Sequence, residues 1–200
     1  RPHLALSVWE SPMRTTNLIL ALALGVSPSL WAAGKTSADF LNMGVGPRAI
    51  AMGNAQVGLA DDAYAAFWNP AGLSTLKTQE ASFVHTDYVQ NIAQQSLAYA
   101  YPHPRYGSFG LSLNYVSYGQ INGFDSVGQS IGNVTAHDMA AGLSYSHDLY
   151  KDERYGTGLS AGVTGKWIQE SLASVSATAF AGDVGFLFVP GLKYGEWLNG

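Results

Sequence analysis

Two hundred residues carrying a formal net charge of -4, no cysteine and only 12% charged side chains exclude several kinds of protein. Neither a disulfide framework nor a thiolate metal site can exist, and no lysine–arginine cluster gives nucleic acid an electrostatic footprint. The charged fraction is about half that of a typical soluble domain, while 23 Gly and 11 Tyr are high at a mean hydropathy of +0.04; that mixture suits a barrel wall better than a helical bundle.

Residues 1–12 precede Met13 and read as an upstream extension. Residues 13–34 read as a Sec signal peptide. Arg14 supplies the positive start, Leu18 to Val26 is an apolar run broken by Pro28, and Ala32-Ala33-Gly34 offers small residues for cleavage. As a helix that run reaches about 14 Å, against a bilayer core of roughly 30 Å, which disfavours a membrane anchor. Cleavage after Gly34 and after Ala33 both stay open.

Residues 35–79 show no steady hydrophobic period. Within them Ala63, Ala66 and Phe67 stand at helical offsets, so a short helix is expected over 62–68, with Asp61 or Asp62 capping its start and Pro70 ending it. Asn69-Pro70-Ala71-Gly72 reads as a turn, because Pro sets φ and the Asn side chain can bond local backbone. The acids lack the alternating ligands and final Glu of a calcium loop.

From residue 80 the period becomes two, which places alternate side chains on opposite faces of a strand. Phe109, Leu111, Leu113 and Tyr115 oppose Ser108, Gly110, Ser112 and Asn114. Met139, Ala141, Leu143 and Tyr145 oppose Asp138, Gly142, Ser144 and Ser146. Leu159, Ala161, Val163 and Trp167 oppose Ser160, Gly162, Thr164 and Lys166, and Val184, Phe186 and Phe188 oppose Asp183 and Gly185. Two less regular strands are expected at 81–89, with Val84, Thr86 and Tyr88 on one face, and at 95–101. Strands of about 9 to 12 residues with aromatics toward their ends fit a tilted membrane crossing. A soluble β-sandwich has the same alternation but turns its apolar face inward.

The connections 102–106 and 147–154 read as short turns, and 117–134 as a long loop, the asymmetry of an outer-membrane barrel with periplasmic turns and external loops. On that topology residues 35–79 lie at the periplasmic or luminal end. About six strands do not close a barrel that conventionally begins at eight, so residues 80–200 are expected to be the N-terminal part of a longer wall.

The run GVGPRAIAMGNAQVGLADDAYAAFWNPAGLSTL, over 44–76, resembles the N-terminal signature of the PorV/PorQ family, a branch of the FadL-type outer-membrane transporters. The matching pieces are Gly46-Pro47-Arg48-Ala49, Ala51-Met52-Gly53, Ala60-Asp61-Asp62-Ala63 and Asn69-Pro70-Ala71-Gly72-Leu73. The resemblance implies an all-β, antiparallel transmembrane barrel of fourteen strands when complete. It also implies that the segment bearing Asn69, Pro70 and Ala71 forms a hatch plugging the barrel from the periplasm. Asp61, Asp62 and Asn69 would bond lumen side chains or hatch amides. His85 and Asp87, with Lys166 and Asp183, are expected to line the polar lumen.

Enzyme-like patterns carry little. Gly158-Leu159-Ser160-Ala161-Gly162 matches a nucleophile elbow but lies inside an alternating strand. Gly44-Val45-Gly46 and Gly34-Lys35-Thr36 lack the strand or spacing that nucleotide loops need. His137-Asp138 and His147-Asp148 lie about 33 Å apart along an extended strand, so they read as strand-end polar residues rather than one chelate. The sequence therefore points to a non-enzymatic outer-membrane β-barrel without cofactor or metal, with lipid around it. Its cargo would be either the C-terminal signal domains of proteins exported by type IX secretion or, as in FadL-like uptake, hydrophobic small molecules; a soluble periplasmic β-sandwich binding module is the remaining alternative.

Overall fold

The computed structural model describes residues 38–124, 126–152 and 156–190. The expected upstream extension 1–12, the expected signal peptide 13–34, the Gly34-Lys35-Thr36 match and the residues from 191 onward lie outside them. The described chain is mostly one antiparallel sheet of six strands in sequence order. These are β1 (Glu80–Asp87), β2 (Ala93–His103), β3 (Gly107–Phe124), β4 (Ser130–Asp152), β5 (Thr157–Leu172) and β6 (Val175–Val189). The sheet is not closed, and β1 and β6 are its edges.

Register fixes the two faces, since residues paired directly across an antiparallel ladder point the same way. One face carries Phe83, Leu97, Leu113, Ala141 and Trp167 in successive cross-strand pairs, continued by Leu111 with Leu143 and Val163 with Val184. Most of its large side chains are exposed, including Phe83, Leu143, Val184 and Phe186 at 65–71%. The other face carries small and polar residues, among them Ser96, Ala98, Ser112, Asn114, Ser144, Ser146 and Thr164, all buried. Segment 38–79 lies on this second face. Its Val45, Ala63, Tyr64, Ala66 and Leu73 cluster with Ala98 and Ala100 of β2, and Phe40 packs with Val116, Ala140 and Ile168 of β3, β4 and β5. The covered face of the sheet is thus the polar one.

Buried polar groups must find partners, and several on the covered face of the sheet find each other. Gln94 Nε2 and Ser96 Oγ both donate to Asn114 Oδ1 at 3.0 Å. Ser144 and Thr164 hydroxyls lie 2.7 Å apart, and Tyr118 OH donates to Asp138 Oδ2 at 2.6 Å.

Two connections differ from expectation. The loop expected over 117–134 is largely strand: β3 runs to Phe124 and β4 starts at Ser130, with a register shift between Ser117 and Gln120 beside Gly119, whose φ is 67°. Beyond Gly119 neither face is covered, so those residues needed no alternation, yet the backbone ladder continues and Asn133 Nδ2 donates to Gln120 Oε1 at 2.8 Å. Most of the turn expected over 147–154 is also strand, because β4 reaches Asp152; Arg154 lies outside the described residues. Consequently the pairs His137-Asp138 and His147-Asp148 sit within β4 and not at strand ends, Asp138 being buried on the covered face.

The register of the lengthened β3–β4 hairpin is directly testable, because the chain has no cysteine of its own. Ile121 and Val134 are direct cross-strand partners, a spacing compatible with disulfide geometry. Ile121→Cys with Val134→Cys is expected to cross-link on mild oxidation, seen as a reducible gel shift; Asn122→Cys with Val134→Cys, on opposite faces, is not. Equal cross-linking of both pairs would mean a flexible loop.

Candidate functional site

The motif stretch folds as a string of short turns held by side chains. Asp62 Oδ1 accepts the Tyr64 amide at 2.9 Å, an Asx turn that delays the expected helix: only Ala65–Trp68 is helical. Asn69 ends it in extended conformation, and Pro70 then opens a second turn of 3₁₀ helix, Pro70–Thr75, capped by Asn69 through Ala71 N to Oδ1 at 3.1 Å. The expected turn at 69–72 is therefore a helix start, with Pro at a first-turn position that needs no amide donor.

The separated motif pieces converge. Trp68 Nε1 donates to Val45 O at 2.9 Å, joining the helix to the Gly46-Pro47-Arg48 stretch. Arg48 pairs with both Asp61 and Asp62, and its pKa is raised above the usual guanidinium value by the hydrogen bond to Asp61. Gln56 Nε2 donates to Asp62 Oδ2 at 3.3 Å, and Ala63 N to Glu80 Oε2 at 3.1 Å. Gly72 lets the motif lie against residue 60, because a Cβ there would overlap the Ala60 carbonyl.

The sheet supplies a shaped seat. Ser146, Gly162 and Gly185 form one row across β4, β5 and β6, in register on the covered face. Asn69, Pro70 and Ala71 rest on it. A Cβ at Gly162 would overlap Pro70, and one at Gly185 would overlap Asn69 Oδ1. Two hydrogen bonds lock the contact: Asn69 Nδ2 donates to Phe186 O at 3.2 Å and Ser146 Oγ to Ala71 O at 3.1 Å. The other Asn69 Nδ2 bond goes to Val57 O at 3.0 Å, so this buried amide links two stretches of the segment to β6. The sequence places Gly162 on the small-residue face of its strand and in a nucleophile-elbow pattern, neither of which names what it seats; Ser160 in that pattern instead donates to Asp148 Oδ1 at 2.8 Å.

Of the four residues expected to line a lumen, Lys166 and Asp183 lie on the covered face, paired at 2.6 Å beside the Asn69–Pro70 stretch. His85 and Asp87 do not join them. Val84 packs toward the N-terminal segment, so His85 and Asp87 share the opposite face with Phe83, 3.1 Å apart. The irregular alternation of β1 made the two faces hard to assign, and the packing of Val84 decides between them. A cavity of about 210 Å³ remains between the segment and the sheet, walled by Leu41, Met43, Phe67 and Trp68 on one side and Ser112, Asn114 and Lys166 on the other. Among the described residues no group of three His, Cys, Asp or Glu is placed to hold a metal.

Removing Asn69 is expected to be costly beyond its own bonds, since the Val57 and Phe186 carbonyls lose their donor and the buried Ala71 amide its acceptor. Asn69→Ala should lower unfolding free energy by about 1–3 kcal/mol in denaturant titration, whereas Asp61→Asn in the exposed ion pair should change it little; equal effects would remove the anchor role. Burial raises the Tyr64 phenol above its ordinary value, with the charge of Asp62 adding to it and Ser82 opposing it. The neutral phenol is favoured in the fold, so its stabilisation is complete below about pH 10, the unfolded value, and is lost as pH rises through the raised one. Tyr64→Phe should therefore flatten the alkaline limb of the stability profile.

Comparison of the chain with family models, curated proteins and solved structures finds no match.

Proposed function

We propose that the chain forms wall and hatch of an outer-membrane β-barrel, non-enzymatic, that passes or handles cargo across that membrane. One observation carries the reading: the sheet exposes its apolar face and covers its polar one. A soluble sandwich buries the apolar face against a second layer, whereas a barrel wall offers it to lipid and keeps small polar residues toward the lumen. Rings at one end of the apolar face, Tyr101, Phe109 and Tyr145, suit the headgroup level, where an aromatic body meets lipid and a hydroxyl meets water. In β3 and β4, of 18 and 23 residues, about 9 to 11 suffice to cross, and the surplus would carry the hairpin beyond the bilayer.

Irregular backbone at membrane depth is tolerated only where protein satisfies its amides, and the Asn69–Ala71 contacts supply that on the covered face. Held by a few hydrogen bonds worth about 1 kcal/mol each, such a hatch is stable yet displaceable. By the motif resemblance, the cargo is the C-terminal signal domain of exported proteins, in a PorV-like secretion role. A second reading, uptake of hydrophobic small molecules, is favoured by the cavity against Phe67 and Trp68.

The membrane reading is tested by expressing the complete reading frame and running the outer-membrane fraction on gels, heated and unheated. A heat-modifiable band is expected; a soluble periplasmic protein with unchanged mobility would make the sandwich the better model. Leu143→Arg on the apolar face should lower the assembled fraction strongly, at about 2–4 kcal/mol for a midplane cation, and Ser144→Thr on the other face should not. Binding of isolated signal domains, set against fatty-acid uptake, then separates the two cargoes.

A further inference from the structure

Five lysines and arginines fall among the described residues, and two are paired: Arg48 with Asp61 and Asp62, Lys166 with Asp183. The other three, Lys77, Arg105 and Lys151, make no ion pair among the described residues, and all three line one cleft of about 400 Å³ where β2 turns into β3. His103 and His147 line it too. His103 Nδ1 accepts the amides of Arg105 and Tyr106, both at 3.2 Å, so in the neutral ring the proton sits on Nε2 as a further donor. The single carboxylate in the lining is Asp148, held by Ser160; Asp152 lines the adjoining cleft with Lys77 and Lys151. Cations left unpaired in a chain with so few of them, gathered at one rim, make a site for an anion.

The position of the cleft narrows the class of anion. Its walls come from both faces of the sheet: Pro102, Ser108 and Asp148 from the covered face, His103, Gly107 and His147 from the apolar one. Rings carry it onto the apolar face, with His103 4.7 Å from Tyr106 and Tyr145 stacked 6.5 Å from His147. A molecule with a phosphate in the cleft would have its remainder lie along exposed Phe109, Leu111 and Leu143. We propose that this cleft seats the headgroup of an anionic phospholipid of the adjacent leaflet, its acyl chains against the apolar face. The proposal rests on the membrane reading above.

The full chain, purified in a non-ionic detergent, is titrated with phosphatidylglycerol and with phosphatidylcholine, and bound lipid is counted by native mass spectrometry. Preference for phosphatidylglycerol of at least about ten-fold is expected at low salt, falling with ionic strength. Each cation is worth about five-fold, so the triple variant Lys77→Gln, Arg105→Gln, Lys151→Gln should lose on the order of a hundred-fold. A charge-keeping triple, Lys77→Arg, Arg105→Lys, Lys151→Arg, should stay within about two-fold and guards against a folding artefact. Unchanged preference in the Gln triple overturns the proposal. So does displacement by inorganic phosphate at equal concentration, which marks a free-phosphate site. The heat-modifiable band separates the two failures: present without lipid preference, only the cleft is refuted; absent, the membrane reading fails and the cleft proposal with it.

Discussion

The contact on which the arrangement depends is the seating of Asn69, Pro70 and Ala71 on the Ser146–Gly162–Gly185 row. A polypeptide can approach a sheet this closely only where side chains are missing, and two of the three row positions have none. At that distance the carboxamide of Asn69 reaches the Phe186 carbonyl of β6 while its oxygen still caps its own segment. Asn69 thus ends one helix through its extended backbone, while its side chain caps the next and ties it to the sheet. Without it the Pro70–Thr75 turn would lose its cap and the segment its hydrogen bond to β6.

That constraint propagates outward. Because the segment lies flat on the sheet, the neighbouring positions on that face are small or hydrogen-bond laterally, as Asn114 does with Gln94 and Ser96. Burying hydroxyls and amides in mutually satisfied groups avoids the cost of unpaired ones. The large apolar side chains are left to the opposite face, because strand alternation offers no third place. One geometric requirement, close approach of irregular backbone, is therefore coupled to an outward-facing apolar surface and to the functional reading built on it.

Charge follows the same division. Arg48 and Lys166 are used internally, joining motif pieces and bracing the covered face. Among the described residues the cations left over are all at one rim, beside aromatic rings and away from the middle of the apolar face. On the membrane reading proposed above, charge is expensive on the apolar face and cheap at its border; His85 and Asp87, next to each other near the end of β1, are also near a border.

The all-β class and the face shared by residues within β3, β4, β5 and β6 were legible in the sequence, because period two is a local property of each strand. The sequence also marked the Asn-Pro-Ala-Gly stretch as the end of one element, through φ of Pro70 and the capping carboxamide of Asn69. The rest came from contacts between distant parts of the chain. The 117–134 stretch is paired because its partner lies opposite, which no pattern in uncovered residues records. His85 and Asp87 fell on the other face from Lys166 and Asp183 because Val84 packs against the segment. Gly162 and Gly185 became a seat because a glycine in a strand signals a close approach without saying what approaches, and the answer lies some ninety residues or more earlier in the chain.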